Sequence, residues 1–550
     1  MKKRRLYVLF SVLLAIALVV GVTGSALAFP NKIIKVQILA LNDFHGALDP
    51  SKGIGGAEYL ATYVKNLEAL NENTVKVSAG DMIGASPLLS ALFHDEPTIQ
   101  AFNLMGFDFS AAGNHEFDEG WTELLRMQYG GCSPIDGCYE GVPAFTGATF
   151  DYLTANVIRL DDEETLFPPY MIREYGNIKV AFIGISLEST PTIVVPSGVA
   201  GLEFLPEVRT INHTVQYLKD NEGIKAFVIL LHDGAGPAPD PNGCNPTDPF
   251  FTNIIKNINP EVDVVITGHS HNAYKCSIEV KKNYHPMLVT SAGSSGKFLT
   301  DINMDIYNTN GQVAAVTGQN ISIVDANVTL DTDMKALLDQ YRAISVPIAN
   351  QVVGEITADL TRTQDTAGES ALGDVIGDAQ LLATSDVDAG SAVVAMTNPG
   401  GIRTDLFYTQ SVGEGDGNVT YGEAFAVQPF SNSLVTMTLT GAQLKAVLEQ
   451  QFQVSRMLQI SDSLHYSWSA SAPLGSKIVS MQIDSVDVDP AASYRITINN
   501  FLAGGGDGFT TFLAGTDLLT GMIDLDAFVN YLQAASPISP PALDRITKLP

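Results

Sequence analysis

Basic residues are scarce in this chain. Lysine and arginine total 31 against 60 aspartates and glutamates, a formal net charge of −29 over 550 residues. Affinity for nucleic acid rests on neutralising phosphates with Lys and Arg, so binding a duplex through the surface is excluded as a main role. Cysteine is also scarce: there are four, Cys132, Cys138, Cys244 and Cys276, with no CxxC spacing, which argues against a cysteine zinc site. Past the N-terminus no apolar run is long enough to cross a bilayer, and there is no internal repeat or low-complexity block. These absences leave an acidic chain, 45% hydrophobic, with material for a sizeable core and a length that calls for two or three domains.

The first residues stand apart from that core. Lys2, Lys3, Arg4 and Arg5 precede an apolar run from Leu6 to Val22, closed by Ala26-Leu27-Ala28. This pattern is that of a signal peptide spanning residues 1–28, and it implies export, to a periplasm or the extracellular space, without stable membrane insertion after cleavage. A retained N-terminal anchor is the competing reading. In an exported chain disulfides persist. Four cysteines allow three pairings; Cys132 with Cys138, which closes a short loop rich in Gly, Pro and Asp, and Cys244 with Cys276 are favoured.

From Ile33 to about Val324, short β-rich runs alternate with helical stretches such as Ala57 to Leu70 and Val208 to Asn221, the pattern of a layered α/β domain. Apolar residues at Met334, Leu337, Leu338, Tyr341 and Ile344 predict a helix over Thr332 to Ile348, ended by Pro347. A second strand-and-helix region follows, with a strand at Ser433 to Thr440 and a helix at Ala442 to Phe452. The expected division is 29–328, a joining helix at 329–350, and 351–550. The tail from Ala534 to Pro550 is Pro-rich and reads as lacking a hydrophobic anchor.

Five apolar runs end in chemistry-bearing turns. They are Asn42-Asp43-Phe44-His45-Gly46, Gly80-Asp81, Gly113-Asn114-His115-Glu116-Phe117-Asp118, His232-Asp233-Gly234 and Gly268-His269-Ser270-His271. Ligands of open α/β sheets collect at the carboxyl ends of strands, so five such ends can meet at one site. Asp, His and Asn supply oxygen and nitrogen donors suited to Mn, Zn, Fe, Co or Mg. Asp43, His45, Asp81, Asn114, His232, His269 and His271 are too many for one ion and suffice for two if a carboxylate bridges, a pair that can activate water and neutralise a phosphoryl group. Such cations also answer the charge problem, since a phosphate substrate needs a locally positive site on an acidic protein.

These turns resemble the successive blocks of the calcineurin-like metallophosphoesterases and, with the second domain, the secreted bacterial 5'-nucleotidase family that includes UDP-sugar hydrolases. The resemblance implies an α/β metallophosphoesterase sandwich joined by a helix to a smaller α/β substrate-binding domain. It implies that Asp43, His45, Asp81 and His271 hold one divalent ion and Asp81, Asn114, His232 and His269 the other, with His115 and Asp118 a catalytic pair. Asp118, three residues on, can orient His115 and favour its protonated form.

In the second domain two glycine-rich stretches stand out, Asn398 to Arg403 and Asn500 to Phe509. Glycine allows close backbone approach to a ligand, Arg403 offers a planar fork for phosphate, and Phe501 a face for a base. The resemblance places Arg403 on phosphate, Phe430 and Phe501 around the base, Asn432 and Asp507 toward base and ribose, and Asn398 and Arg362 among the substrate residues. Pro399 stands where the family usually has Gly, and Leu360 to Leu372 offers only Arg362 where relatives supply more arginines. The expected reaction is hydrolysis of a 5'-nucleotide, a small-molecule substrate, to nucleoside and phosphate. The alternatives are 2',3'-cyclic nucleotide phosphodiesterase or UDP-sugar hydrolase activity, or a non-catalytic exported binding protein for nucleotide or metal. That last would be marked by loss of a ligand or of His115, and none is lost.

Overall fold

Alternation along the first strand sets the architecture. In β1 (Ile33–Leu41), Val36, Ile38 and Ala40 point to one side and Leu39 and Leu41 to the other, and all five are buried. A strand apolar on both faces must be covered on both. In the computed structural model, which describes residues 33–280, 285–411 and 413–550, the first set meets a second sheet and the other set meets helices. The expected signal peptide, 1–28, lies outside the described residues. Among these, no helix is long and apolar enough to cross a membrane.

The first lobe has four layers, helices on either side of two packed six-stranded sheets. In one sheet β1, β2 (Thr74–Ser78) and β3 (Phe109–Ala111) run parallel, with Phe298–Tyr307 antiparallel to β1 on its far side and Val313–Ser322 antiparallel to that strand in turn. In the other, β4 (Phe227–Leu231) and β5 (Val264–Thr267) are parallel neighbours between Ile178–Ile185 and Met287–Ala292. Between the sheets lie Ile38, Val77, Phe109, Val228, Leu230 and Ile266. Outside the second sheet, Phe227, Ile229 and Leu231 pack on the helix Glu207–Glu222 through Ile211, Val215 and Leu218. Truncating one such fully buried leucine or isoleucine to alanine costs about 2–5 kcal/mol.

Helix α1 (Thr332–Ala349) starts where the Asp331 carboxylate accepts from the Asp333 and Met334 amides, an N-cap. Met334, Leu338 and Tyr341 form its buried stripe against the first-lobe core. Arg342 ties the same helix to Asp49 and Glu58. Pro347 does not end it: the helix runs two residues further, because in a last turn the missing amide forfeits a single bond.

The second lobe is built on a mixed five-stranded sheet and a separate four-stranded one. Capping boxes, Thr420 with Glu423 and Thr440 with Gln443, open its helices Tyr421–Val427 and Gly441–Gln450. The tail corrects the sequence reading. Ile538 and Ile546 are buried, Ile546–Leu549 adds a strand to the four-stranded sheet, and Arg545 forms a bidentate pair with Asp378 at 2.8 Å on each arm. Both disulfides take the favoured pairing, Cys132 with Cys138 and Cys244 with Cys276.

Candidate active site

All five turns converge. After β1, the Asn42 amide donates to Gly293 O at 2.7 Å and its carbonyl accepts from the Ala292 amide at 2.7 Å, fixing the turn to the second sheet. Asp43 and His45 follow in left-handed backbone, as do Asp81, His269 and His271, a conformation costly for residues with a Cβ and commonest at functional sites. The turns interlock through backbone as well: Asp43 N donates to Gly80 O, and His45 N to Asp81 O. Two glycines make room. A Cβ on Gly80 would lie 2.5 Å from Gly113 N, and one on Gly113 would lie 2.2 Å from Asp81 Oδ1.

Carbonyls orient two imidazoles. His232 Nδ1 donates to Ala79 O at 2.8 Å and His45 Nδ1 to Gly84 O at 2.9 Å, which turns both Nε2 lone pairs toward the cluster. His232 Nε2 stands 3.1 Å from Asp81 Oδ2, and His45 Nε2 faces His271 Nε2 at 3.0 Å. Asn114 Oδ1 lies 2.9 Å from His269 Nδ1 and 3.1 Å from His232 Nε2. Two donor groups result, Asp43, His45, Asp81 and His271, and Asp81, His232 and His269, which share Asp81.

This donor set fits divalent cations. Asp81 Oδ1 accepts from the His115 amide, whereas the buried Oδ2 faces both groups with His232 Nε2 3.1 Å away. Burial draws His269 and His271 down to about 4, which keeps their rings neutral with a lone pair to offer. Burial also opposes charge on His232, but the Asp81, Asp43 and Glu116 carboxylates outweigh it and hold the ring up at about 10. Burial lifts Asp43 to about 7. The pocket thus favours positive charge beside Asp81 and crowds lone pairs around it, a conflict that bound cations resolve.

His115 Nδ1 meets Asp118 Oδ2 at 2.8 Å. Burial disfavours a charged His115, but the Asp118 and Asp81 charges win and raise its pKa. Glu116 is a supporting residue that the sequence reading passed over. Its buried carboxylate accepts from the amides of Asp81 and Met82 at 2.8 Å and from that of Gly113, locking β2's turn to β3's. Its position inside the Gly113–Asp118 turn was the available signal.

The second lobe closes over this cluster. One cavity of about 180 Å³ is lined by Asn114, His115, Asp118 and His269 and by Asn398, Arg403, Phe430, Asn432, Phe501 and Asp507. The Phe430 ring stacks on His115 at 5.9 Å and 11°, and the Arg403 guanidinium lies 5.5 Å from the Phe430 centroid. Asn398 Nδ2 donates to Asp507 Oδ2 at 3.1 Å. The two lobes thus stand closed on one another in this structure, with residues of both lining the cavity. Arg362 does not join the lining: its Nη1 donates to Ile402 O at 3.2 Å and its Nε lies 3.9 Å from Asp405, so local partners turn it away. Arg456, which no sequence signal marked, lines the cavity instead, with Nε 3.3 Å from Asp507 Oδ1. Ile193, Val194 and Val195 supply an apolar wall.

Comparison with known proteins agrees with this geometry. Residues 36–273 match the calcineurin-like phosphoesterase profile and residues 352–514 the 5'-nucleotidase C-terminal domain. The chain is 32% identical to cell wall protein Lmo0130 of Listeria monocytogenes, over 96% of this chain and 71% of that one. It is 30% identical to endonuclease YhcR of Bacillus subtilis, over 92% of this chain but only 40% of that protein's length. The solved 5'-nucleotidase precursor from Thermus thermophilus superposes with a TM-score of 0.75 at 25% identity, covering 94% of this chain and 99% of that one. Two matched domains in this order, on a scaffold that carries phosphoester hydrolases, make the chain a member of the 5'-nucleotidase family of calcineurin-like metallophosphoesterases.

Proposed function

We propose that this protein is an exported two-metal phosphoesterase that hydrolyses 5'-nucleotides to nucleoside and phosphate. The observation that carries the reading is the shared cavity, in which Phe430, Phe501 and Asp507 line the same space as Asn114, His115 and His269. Asp43, His45, Asp81 and His271 would hold one divalent ion and Asp81, Asn114, His232 and His269 the other, with Asp81 between them. Bound there, such ions supply Lewis acidity toward a phosphoryl oxygen and a water acidic enough to be a nucleophile near neutral pH.

The chain's own side chains do the rest. With Nδ1 committed to Asp118, a protonated His115 has Nε2–H free to donate to a phosphoryl oxygen or to the departing 5'-oxygen. Arg403, which lines the same cavity beside Phe430, adds a positive charge. Phe430 and Phe501 hold the base by stacking, Asn432 and Asp507 meet base and ribose with hydrogen bonds, and Asn398 holds Asp507. The Ile193–Val195 wall keeps bulk water from the reacting group. Export is supported by the basic-then-apolar N-terminal sequence and by two disulfides, with the periplasm or the outside of the cell as destination.

The test is phosphate release from AMP with Mn or Zn supplied, with 2',3'-cyclic AMP and UDP-glucose as comparators. AMP turnover abolished by chelation supports the proposal. Faster cleavage of either comparator reassigns the substrate, and binding of AMP without any turnover identifies a non-catalytic receptor.

A further inference from the structure

Arg456 is a cation that the scheme above leaves unused. Its Nε lies 3.3 Å from Asp507 Oδ1, and among the described residues Nη1 and Nη2 make no hydrogen bond although the side chain lines the cavity. Asp507 is in turn engaged on both oxygens, Oδ1 by Arg456 and Oδ2 by the Asn398 amide at 3.1 Å, so it is not a bare negative charge. The three groups meet over Gly400. A Cβ there would stand 3.4 Å from Asn398 Nδ2, 3.7 Å from Arg456 Nη1 and 3.8 Å from Asp507 Oδ2, so the missing side chain leaves a small polar cradle.

We infer that this cradle receives an anionic group on the ribose 2'/3' edge, and that the enzyme accepts nucleoside 3',5'-bisphosphates in preference to the plain 5'-monophosphates. The inference rests on the reading of the cavity as a nucleotide site with Asp507 at the ribose. Arg456 contributes a forked pair of donors, the geometry that suits phosphate oxygens, and Asn398 an amide hydrogen beside it. The chemistry is that already proposed. A water oxygen bonds to the 5'-phosphorus, the P–O5' bond breaks, the 5'-oxygen leaves as a hydroxyl with a proton, and the 3'-phosphate stays on the sugar. Because the Arg456 side chain is 43% exposed, the advantage is screened and shrinks as salt is raised.

The experiment compares kcat/KM for adenosine 3',5'-bisphosphate and AMP, with Mn supplied, in the full chain and in Arg456→Met and Gly400→Ala. The wild type is expected to favour the bisphosphate by roughly three- to tenfold. Arg456→Met should bring the ratio to one or below, and Gly400→Ala, whose new Cβ meets only ordinary contacts, should lower it by filling the cradle. A wild-type ratio at or below one, or a ratio unmoved by Arg456→Met, overturns the inference. If Arg456 serves only to hold Asp507, both substrates suffer together and the ratio stays. Should neither compound be hydrolysed, the nucleotidase reading is what fails, and equilibrium binding of the two compounds to the same three proteins decides the cradle by the same ratio.

Discussion

The two ends of the cavity are built on opposite principles. At the metal end Asp43, Asp81 and His232 are essentially without solvent, and five of the seven donor residues sit in left-handed backbone, each at a cost of about 1 kcal/mol or more. Neighbouring turns hold them there through backbone bonds and the Glu116 carboxylate. At the nucleoside end the left-handed residues are Asp507 and the linkers Ser431 and Ser455, while Phe430, Asn432, Phe501 and Arg456 are not; Gly506 lies against the Phe501 ring, and Arg456 is half in water. The contrast teaches where tolerance lies. Metal donors must be fixed before any ligand arrives, whereas a stacked base accepts small displacements of its platforms.

Substitutions test that asymmetry, beginning where the effect is greatest. Asp81→Ala removes the donor common to both groups and should cost activity on the order of 10⁴-fold, about 5 kcal/mol of transition-state stabilisation, with metal content by elemental analysis falling in parallel. His115→Ala should lower kcat by about 10²- to 10⁴-fold while metal content is retained, because His115 belongs to neither donor group. Loss of metal in that variant would place His115 with the rigid end as a scaffold residue. At the adaptable end, Phe501→Ala should raise KM roughly tenfold and leave kcat within a few-fold, the worth of one stacking face; a kcat collapse would show that base binding and chemistry are one unit.

The smallest effect lies behind the site. His94 bonds Glu119 at 2.6 Å and Asp136, in the Cys132–Cys138 loop, at 3.0 Å, and the Glu119 hydrogen bond is the first cause of a pKa raised to about 9. A folded pKa above the unfolded one gives stability that is full below the unfolded value, about 6.5, and is lost as pH rises through about 9. His94→Gln should therefore cost about 1 kcal/mol near pH 6 and almost nothing near pH 10, after discount for the exposure of both carboxylates. Denaturation midpoints at the two pH values read this directly, and an equal loss at both would assign His94 to packing instead.

Much of the metal end was legible because the signal is local. Strands β1, β4 and β5 carry apolar residues on both faces, while β2 and β3 keep them on one face with Lys76 or Ser110 on the other, and each run ends in Asp, Asn or His within three residues. The stripe of α1 was legible for the same reason, from Met334, Leu338 and Tyr341. What escaped depends on distant partners. Glu116 reads as one more turn carboxylate until β2 and β3 lie side by side. Arg456 follows a helix in a stretch that matches no motif, and only the approach of Asp507 gives it a place. Arg362 was expected among the substrate residues from the family resemblance, and the Ile402 carbonyl and Asp405 draw it elsewhere.

The pinning of Arg545 has a consequence for dissecting the protein. Its guanidinium also bonds Ile460 O at 2.8 Å, its amide and that of Ile546 bond the Glu369 carboxylate, and Asp374, wholly buried beside it, is pushed by burial up to about 9. A version truncated before residue 545 would retain every group proposed to touch substrate yet leave Asp378 without its ion pair and the buried Glu369 carboxylate without its two amide donors. Affinity tags belong beyond that residue, and a shortened fragment that proves insoluble says nothing about its catalytic groups.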